Sequence, residues 1–369
     1  MEKKKKIVCY MGTLSSGGAE HQMVILSSLL ADKGYDVTIP TYRDGVDFYD
    51  VDSRVKRERI AEGRHKYIKV FALMWHALTV KADVVISWGF FQSVFILFAL
   101  LFRPDVKVIC GERECTKLTP SIYEKILYAF LYKRAAYIVP NSYAQRDYEV
   151  GKHPSYADKI ITIINYTDVE HFKMNKFLNN DTIRIGVICR VEQQKNMWNL
   201  VEAMNIVRHK TSQPFEIHWY GNKAYTNPLQ IEYIEKGLQK IHEYGLEKTI
   251  FFEGRTKDVV GVIANCDVMC LASFFEGFSN SLSEYICCGK PVLCSNIDEN
   301  TIMVQDGVNG FTFDPYSVES IAEAFINFFS LDQNAKQQMG YKSRERAMEL
   351  FNKEKFVGAY VDLIEDKHK

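Results

Sequence analysis

Short apolar runs alternate along the chain with longer segments in which apolar residues recur at helical spacing. The run KIVCYMG is followed by the glycine loop TLSSGGAEHQ, then by the helical pattern HQMVILSSLLADKG, which ends at Gly34, and then by the run DVTIPTY. Buried strands separated by helices predict a parallel, doubly wound sheet. Further strands of this first half are predicted at residues 83–88, 106–112 and 137–142.

The apolar periodicity stops at residues 163–181, where polar residues cluster, and a second series of strands and helices then begins. A chain of 369 residues is also long for a single core. We therefore predict two Rossmann-like α/β domains, residues 1–172 and 173–351, joined by a linker. A final helix at about 352–369 could pack on either half and is grouped with the first. The strands of the second series are predicted at IRIGVICR, FEIHWYG, TIFFEG, DVMCLAS and PVLCSN.

Composition and charge indicate a globular enzyme and give no sign of a nucleic-acid partner. The formal net charge is zero, and none of the nine cysteines falls in a zinc or disulfide spacing. We therefore expect a cytoplasmic protein in a reducing environment. The apolar run from Val94 to Phe102 is too short to span a bilayer. It predicts a buried helix, and peripheral contact with the inner face of the membrane stays open as an alternative.

The stretch FFEGFSNSLSEYICCGKPV, residues 274–292, follows a predicted strand and holds two glutamates, Glu276 and Glu284. Ser279, Asn280 and Ser281 are residue types that cap helix starts. A helix beginning there would point free N–H groups and a positive dipole end at a phosphate. The two carboxylates need not face each other, which argues against a glycosidase-like pair. They either bind different parts of one ligand or are ordinary loop and helix charges, and their spacing alone does not decide.

Four segments in order resemble one family. EGFSNSLSEYICCGKPV resembles the E-G-F-x-N-x-x-x-E…G-x-P-V signature of the retaining glycosyltransferases of family 4, which have the GT-B fold of two Rossmann-like domains facing a central cleft. SSGGAEH (15–21) resembles the glycine loop of that family, and ICRVEQQKN (188–196) resembles its G-R-x-x-x-x-K-N segment. FFEGRTKDVVGVIANCDVMCLAS resembles the strand–helix–strand before the two-glutamate motif. The resemblance covers most of the chain and is strongest from about 182 to 315.

The resemblance implies a hexosyltransferase that moves a sugar from a nucleotide-sugar donor, with a UDP-sugar expected, to a hydroxyl of a glycan or lipid-linked acceptor in cell-surface polysaccharide synthesis. Retention at the anomeric carbon and no metal cofactor are implied as well. Arg190 and Lys195 would bind the donor diphosphate and stabilise the departing nucleotide, because cleavage leaves charge on the β-phosphate. Glu276 would hold hydroxyls of the transferred sugar. The donor-binding residues implied by the resemblance are Gly17, Gly18, Arg255 near the base, Gly277, Phe278, Ser279, Asn280, Ser281, Leu282 and, at the ribose, Glu284.

The chain departs from the family pattern after the strand VICGERECTK. Many members carry a histidine there, whereas this chain has Glu112, Arg113 and Glu114. Arg113 could contact donor phosphate or acceptor, or it could be a salt-bridged structural group. Two alternatives to the transferase stay open: a sugar-nucleotide epimerase of the GT-B fold, and a nucleotide-sugar-binding protein with weak catalysis. The triplet DVD at 50–52 fits a metal-binding pattern of another fold and is discounted, because it lies in an acidic loop.

Overall fold

The computed structural model describes residues 4–15, 17–113, 131–178, 180–223, 225, 227–297 and 299–367. It divides the chain into two compact units. The first unit consists of Met1–Tyr166 together with Lys353–Lys369, and the second unit is Thr167–Asn352. The second unit is therefore inserted into the first along the chain.

The first unit is built on a parallel sheet, whose described strands lie in the order β3-β2-β1-β4-β5-β6. β1 lies between β2 and β4, with Ile7 opposite Val37 on one side and Val84 on the other. Strand order reverses at this point, and in such sheets ligands bind at the carboxyl ends of the strands. The strands are β1 Lys6–Tyr10, β2 Asp36–Thr41, β3 Lys56–Arg59, β4 Val84–Trp88, β5 Lys107–Glu112 and β6 Tyr137–Pro140.

Helices of the first unit cover this sheet. α2 and α3 pack side by side and bury Leu73, Ala77, Ile96 and Leu97 in one core cluster together with residues of the sheet. Each of these helices buries one side and exposes the other, as expected for a helix lying on a sheet. The described helices of this part of the chain are α1 Gly18–Asp32, α2 Lys66–Thr79, α3 Phe90–Leu100 and α4 Tyr143–Lys152, with a 3-10 helix at Pro154–Lys159.

The second unit repeats the same architecture, with described parallel strands in the order β12-β11-β10-β7-β8-β9. β7 lies between β8 and β10, so strand order again reverses at the first strand of the unit. The strands are β7 Ile183–Ile188, β8 Phe215–Tyr220, β9 Ile250–Gly254, β10 Val268–Leu271, β11 Val292–Ser295 and β12 Gly310–Phe313. The helices are α5 Met197–Lys210, α6 Pro228–Glu243, α7 Val259–Ala264, α8 Asn280–Cys287, α9 Asn300–Met303, α10 Val318–Ser330 and α11 Gln333–Leu350.

The last helix, α12 Lys353–Ile364, belongs to the first unit. The ring of Phe356 stacks on that of Tyr166, and Lys107 Nζ donates to the carbonyl of Ile364 at 2.7 Å. The predicted class, two doubly wound α/β domains, agrees with the two parallel sheets. No helix in the described ranges combines the length and the apolar content that crossing a membrane requires.

The structure corrects one expectation about the apolar run from Val94 to Phe102. Its first part lies in α3, but Phe98 and Phe102 are exposed, so the run is not fully buried. The pattern predicted burial because it contains no polar residue to mark an outer side. The inner side of the helix nevertheless packs on the sheet, through Ile96, Leu97, Ala99 and Leu100.

Candidate functional site

Two adjacent strands of the second unit position the candidate site. β7 and β10 are hydrogen-bonded neighbours, with Val268 opposite Ile185. β7 leads into a loop and a 3-10 helix, Gln193–Lys195, and β10 leads into the loop that contains Glu276. Because the strands are parallel and adjacent, the two loops meet at the carboxyl edge of the sheet.

An ion pair joins the two loops. Lys195 Nζ donates to Glu276 Oε1, and the same carboxylate oxygen accepts a hydrogen bond from Ser273 Oγ at 2.5 Å. Both charged side chains are close to buried, with 13% of Lys195 and 11% of Glu276 exposed. The structure thus brings together two of the three residues predicted to be catalytic.

Backbone contacts hold this pair in place. Phe274 N–H donates to the carbonyl of Gln194 at 2.9 Å, and the Gln194 amide donates back to the carbonyl of Phe275 at 2.7 Å. Next to Lys195, Asn196 adopts a left-handed backbone with φ 59° and donates to the carbonyl of Pro315 at 2.8 Å. Asparagine is one of the few side chains that tolerates this conformation. The position of Lys195 is therefore fixed from both sides.

The pair keeps Lys195 charged. Burial by itself would lower the pKa of the Lys195 ammonium, but the Glu276 carboxylate outweighs that effect and raises the pKa above its ordinary value. A fixed ammonium can bind a phosphate group, and the carboxylate beside it can accept hydrogen bonds from hydroxyl groups. The pair therefore suits a ligand that carries both phosphate and hydroxyl groups.

Arg190, the third predicted catalytic residue, lies close by but points elsewhere. Its guanidinium is 63% exposed and pairs with Glu192 Oε1 at 2.9 Å. Its charge acts on Lys195 by opposing the rise in the pKa of that ammonium. The structure therefore places Arg190 near the pair without contact to Glu276 among the described hydrogen bonds and ion pairs. Sequence reasoning missed Glu192, for which a carboxylate two residues after an arginine is the only signal.

The start of α8 lies against the end of β7. Ser279 caps the helix, its hydroxyl accepting from Leu282 N–H at 3.3 Å. Ser281 Oγ donates to the carbonyl of Ile188 at 2.8 Å, and Ile188 N–H donates to Tyr285 Oη at 2.9 Å. The predicted helix start is thus present, and hydrogen bonds of Ser281 and Tyr285 attach α8 to the strand that leads to Lys195.

These bonds also specify what the helix start offers a ligand. The hydroxyls of Ser279 and Ser281 are engaged within the protein, and the Leu282 N–H is taken by the cap. Phe278 is buried, with its ring edge-on to Phe351 at 6.1 Å between centroids. Gly277 and Asn280 lie on either side of the Phe278–Ser279 step, in the loop and at the first helical position. Any phosphate contact here would therefore rest on backbone N–H groups and the helix dipole.

Glu284 lies within α8 as an unpaired carboxyl. No hydrogen bond or ion pair reaches its carboxylate from the residues that the structure describes, although part of the side chain touches the surface. Loss of solvent around the carboxyl raises the pKa of Glu284 to about 8. A carboxyl in this state is ready to accept hydrogen bonds from ligand hydroxyls, which would favour its charged form.

Arg255 lies farther along the sheet. It follows β9, which is separated from β7 by β8, and its side chain is exposed. No described hydrogen bond or ion pair links Arg255 to Lys195 or Glu276. The structure therefore leaves Arg255 at the same carboxyl edge but apart from the pair.

The predicted glycines of the first unit lie at the start of α1. Gly17 caps the helix with φ −163°, an extended conformation open to any residue, and its carbonyl accepts from Tyr49 Oη at 3.2 Å. A Cβ built on Gly17 would come within 2.1 Å of a carboxylate oxygen at the end of the flexible Glu20 side chain. Gly18 is the first helical residue. The protein's own backbone does not require glycine at position 17.

Arg113 is built into the first unit. It donates to Asn165 Oδ1 at 3.1 Å and to Tyr360 Oη at 2.5 Å, and its guanidinium lies over the Trp88 ring at 3.8 Å from the centroid. Burial lowers the pKa of the Arg113 guanidinium, and the Tyr360 hydroxyl opposes that shift. Its described contacts are structural, but they run to an aromatic ring and neutral oxygens instead of the salt bridge considered as an alternative.

Glu112, next to Arg113, is also held within the first unit. The carboxylate of Glu112 accepts from Tyr132 Oη and from the Gln145 amide at 3.4 Å, which ties it to the first unit. Glu114 lies outside the described residues. Among the described residues no group of three or more histidine, cysteine or acidic side chains has an arrangement that could hold a metal.

Comparison with known families identifies the chain. The family model described as Glycosyltransferase Family 4 matches residues 16–171, and the model described as Glycosyl transferases group 1 matches residues 168–346. Together the two matches cover most of both units. The chain belongs to glycosyltransferase family 4.

Two curated relatives of this glycosyltransferase are themselves named as transferases of sugars. It is 24% identical to the amylovoran biosynthesis glycosyltransferase AmsD of Erwinia amylovora, over 76% of this chain and 77% of the relative. It is also 24% identical to the Campylobacter jejuni N-acetylgalactosamine-N,N'-diacetylbacillosaminyl-diphospho-undecaprenol 4-alpha-N-acetylgalactosaminyltransferase, over 79% of this chain and 81% of the relative.

Solved structures share the fold of this glycosyltransferase over nearly its whole length. A glycosyltransferase from Rickettsia africae has a TM-score of 0.82 at 17% identity, covering 98% of each chain. HepE of Anabaena in complex with UDP-glucose has a TM-score of 0.82 at 18% identity, covering 98% of this chain and 100% of that one. At these identities the likeness concerns the fold, and it confirms the predicted GT-B class of two Rossmann-like domains.

Proposed function

We propose that this glycosyltransferase moves a hexose from a UDP-sugar to a hydroxyl of a glycan or lipid-linked acceptor in cell-surface polysaccharide synthesis, with retention at the anomeric carbon. The observation that carries the proposal is the buried pair of Lys195 and Glu276 beside the start of α8. The printed names of its relatives support the acceptor class, since one makes amylovoran and another acts on a diphospho-undecaprenol glycan. HepE, with the same fold, binds UDP-glucose.

Lys195 and Arg190 are proposed to hold the donor diphosphate. The bond from the anomeric carbon to the β-phosphate oxygen breaks in the reaction, so negative charge grows on the phosphate, and fixed cations lower the barrier. Lys195 is already fixed, whereas Arg190 must leave Glu192 to reach a phosphate. Glu192 then competes with the donor for Arg190.

Glu276 is proposed to accept hydrogen bonds from hydroxyls of the transferred sugar. In the free protein Lys195 neutralises the Glu276 carboxylate, and Ser273 donates a hydrogen bond to it. Burial of the carboxylate charge is therefore tolerated before the donor arrives. One carboxylate oxygen carries both described bonds, which leaves the other available to a sugar hydroxyl. Glu284, unpaired in the described structure, is proposed to accept from the ribose hydroxyls.

Retention is proposed to proceed without a protein base. The acceptor hydroxyl attacks the anomeric carbon on the face that the diphosphate leaves, and its proton passes to a β-phosphate oxygen of the departing UDP. One carbon–oxygen bond breaks and one forms, so the products are the glycosylated acceptor and protonated UDP. The remaining donor-site residues would serve binding, and no metal takes part in the proposed step.

The experiment is a donor panel scored by nucleotide release, with acceptor glycans or lipid extract present, followed by NMR of the product's anomeric proton. We expect release from UDP-sugars above other nucleotide sugars, an unchanged anomeric configuration, and activity that survives EDTA. Inversion at the anomeric carbon would refute the retaining mechanism. Release of a sugar with altered ring stereochemistry and no acceptor product would favour the epimerase, and absence of release with every donor would favour a binding protein.

A further inference from the structure

The outer sides of α2 and α3 in the first unit expose a concentration of large apolar side chains. Phe71 is 75% exposed and Trp75 is 69% exposed, so most of the surface of each side chain faces solvent. Single exposed apolar residues are common on protein surfaces, whereas a contiguous set marks an interaction site. The aromatic face comprises Tyr67, Ile68, Phe71 and Trp75 on α2, and Phe91, Phe98, Leu101 and Phe102 on and just after α3.

These side chains form a single surface because of their spacing. Residues 67, 71 and 75 recur every four positions and therefore lie in one row on α2. Phe91 and Phe98 are two helical turns apart and therefore lie on the same side of α3, and Phe102 follows just after the helix ends at Leu100. Both helices bury their opposite sides in the same core cluster and pack against each other. The two sets of exposed side chains therefore lie side by side on the outside of the sheet.

The exposed charges around the aromatic face that lack an ion-pair partner among the described residues are mostly positive. Neither α2 nor α3 contains an aspartate or glutamate. Arg64 and Lys66 at one end and Lys81 at the other are exposed, and no ion pair from the described residues neutralises them. Three acidic residues nearby are already in ion pairs: Asp44 with Lys69, Glu62 with Arg59, and Asp105 with Arg103. A fourth, Asp83, accepts a hydrogen bond from the Lys6 N–H at 2.7 Å. The unpaired charge that borders the face is thus mostly positive.

We propose that the aromatic face docks in plane on an anionic lipid bilayer. Tryptophan, tyrosine and phenylalanine insert readily at the level of lipid headgroups, and bordering lysine and arginine side chains bind anionic lipids. A second copy of the chain fits less well, because a face paired with itself would bring its cations together. Docking would bring the enzyme to a lipid-linked acceptor, and only that purpose rests on the proposed function.

The first test is flotation of the full chain with vesicles, without donor or acceptor. We expect the chain to bind vesicles of 70% phosphatidylcholine and 30% phosphatidylglycerol at 0.1 M salt. These vesicles have an anionic surface, and this salt concentration screens its charge only in part. The variant F71S/W75S should lower the partition coefficient by about 100-fold, because two large apolar side chains no longer insert. The matched control L229S/M348S, which changes exposed apolar residues of the second unit, should bind like wild type.

The second test separates the charges from the rings. The variant R64Q/K66Q/K81Q should lose about 100-fold of its affinity for the anionic vesicles. On vesicles of phosphatidylcholine alone it should equal wild type. Equal binding of this variant and wild type to the anionic vesicles would overturn the electrostatic part of the proposal.

Tryptophan emission gives an independent readout. Of the four tryptophans, Trp75 is exposed, Trp88 and Trp219 are buried, and Trp198 in the second unit is partly buried and stacked on Tyr233, so a blue shift on adding vesicles reports mainly on Trp75. W75F should remove the shift while keeping most of the binding. Absence of flotation would overturn the proposal, and so would a concentration-dependent dimer that F71S/W75S abolishes in the absence of lipid. Nucleotide release from the donor in solution should be unchanged in F71S/W75S, which separates failure of docking from failure of the proposed function.

Discussion

Each unit carries a buried cation after a parallel strand, and the two cations are compensated in opposite ways. In the second unit Lys195 pairs with Glu276, a carboxylate in the loop of the neighbouring strand. In the first unit Arg113 lies over Trp88 and bonds to the neutral oxygens of Tyr360 and Asn165. One cation is balanced by an anion and the other by a ring and neutral oxygens.

The difference shows which of the two cations, Lys195 or Arg113, can leave its protein partner to bind a ligand. An ammonium whose partner is a single carboxylate can turn to a diphosphate, while the carboxylate accepts bonds from a sugar. Arg113 cannot leave its place without unpairing Tyr360, which is fully buried on α12, and uncovering Trp88. A buried cation after a strand is therefore a candidate for ligand binding only when the group that balances its charge can also bind the ligand.

The largest expected effect is on catalysis in the second unit. Lys195→Ala and Glu276→Ala should each lower turnover by about 1,000-fold, because each removes a group that acts on the developing charge or on the sugar. Turnover is measured as UDP release under saturating donor, and folding is checked by circular dichroism. Lys236→Ala is the matched control, since it breaks an exposed lysine–glutamate pair of the same unit. Normal turnover in both site variants would refute the assignment of the site.

The next effect should fall on stability in the first unit. Arg113→Ala should lower the free energy of unfolding by about 3 kcal/mol, because it leaves a cavity and unpaired polar groups in a buried site. Turnover measured well below the melting temperature should stay within about threefold of wild type. Urea unfolding and UDP release measure the two quantities. A variant with normal stability and lost turnover would instead assign Arg113 to ligand binding.

A smaller effect is expected from Glu284 and depends on pH. Its pKa of about 8 in the folded protein lies above the ordinary value of 4.5, so the folded chain retains a proton that the unfolded chain releases. The stability that this retained proton contributes to the folded chain is fully present below the ordinary pKa of the carboxyl. It is lost as the pH rises towards 8. Relative to wild type, Glu284→Gln should therefore become more stable between pH 5 and pH 8, by about 2 kcal/mol at the upper end.

Thermal melts of wild type and Glu284→Gln at pH 5, 6.5 and 8 measure this difference. Glu345→Gln, which changes an exposed glutamate of the same unit, is the control and should show no such trend. A difference that stays constant with pH would contradict a buried, unpaired carboxyl. Donor affinity should fall in Glu284→Gln at pH 8, because the amide offers the ribose hydroxyls one neutral accepting oxygen where the carboxylate offers two charged ones.

The smallest effect is expected at Gly17. Gly17→Ala should change the free energy of unfolding by less than about 0.5 kcal/mol, because the backbone is extended and only the flexible Glu20 side chain must move. A rise in the KM for donor with an unchanged melting temperature would support the proposed close approach of this loop to the donor. A large loss of stability would show that the glycine serves the fold.

Helices and strands could be predicted from the sequence where the local pattern of apolar and polar residues matches the burial of that element in the fold. The strands at β7 and β10 and the helix start at Ser279 follow from apolar runs and a capping residue. β3 was missed because its sequence KRER is fully charged, and an edge strand can carry charge on both sides. α11 was missed because few of its eighteen residues are apolar, and packing along one narrow side is enough to hold it.

The residues of the candidate site could be proposed from the sequence, but their contacts could not. Family resemblance pointed to Lys195, Glu276 and Arg190, yet only packing decides that Lys195 meets Glu276 while Arg190 turns to Glu192. The compensation of Arg113 depends on Tyr360, which is 247 residues away along the chain. No local pattern reports a contact at that separation.

The placement of α12 sets an order of events during synthesis. The second unit, about 190 residues, leaves the ribosome between the two parts of the first unit. At about 5–20 residues per second this takes about 10–40 seconds, during which Arg113 and Trp88 lack their cover from Tyr360. The second unit can complete its own core in that interval, whereas the first unit closes only after translation of its final helix. The second unit thus matures before the half that begins the chain.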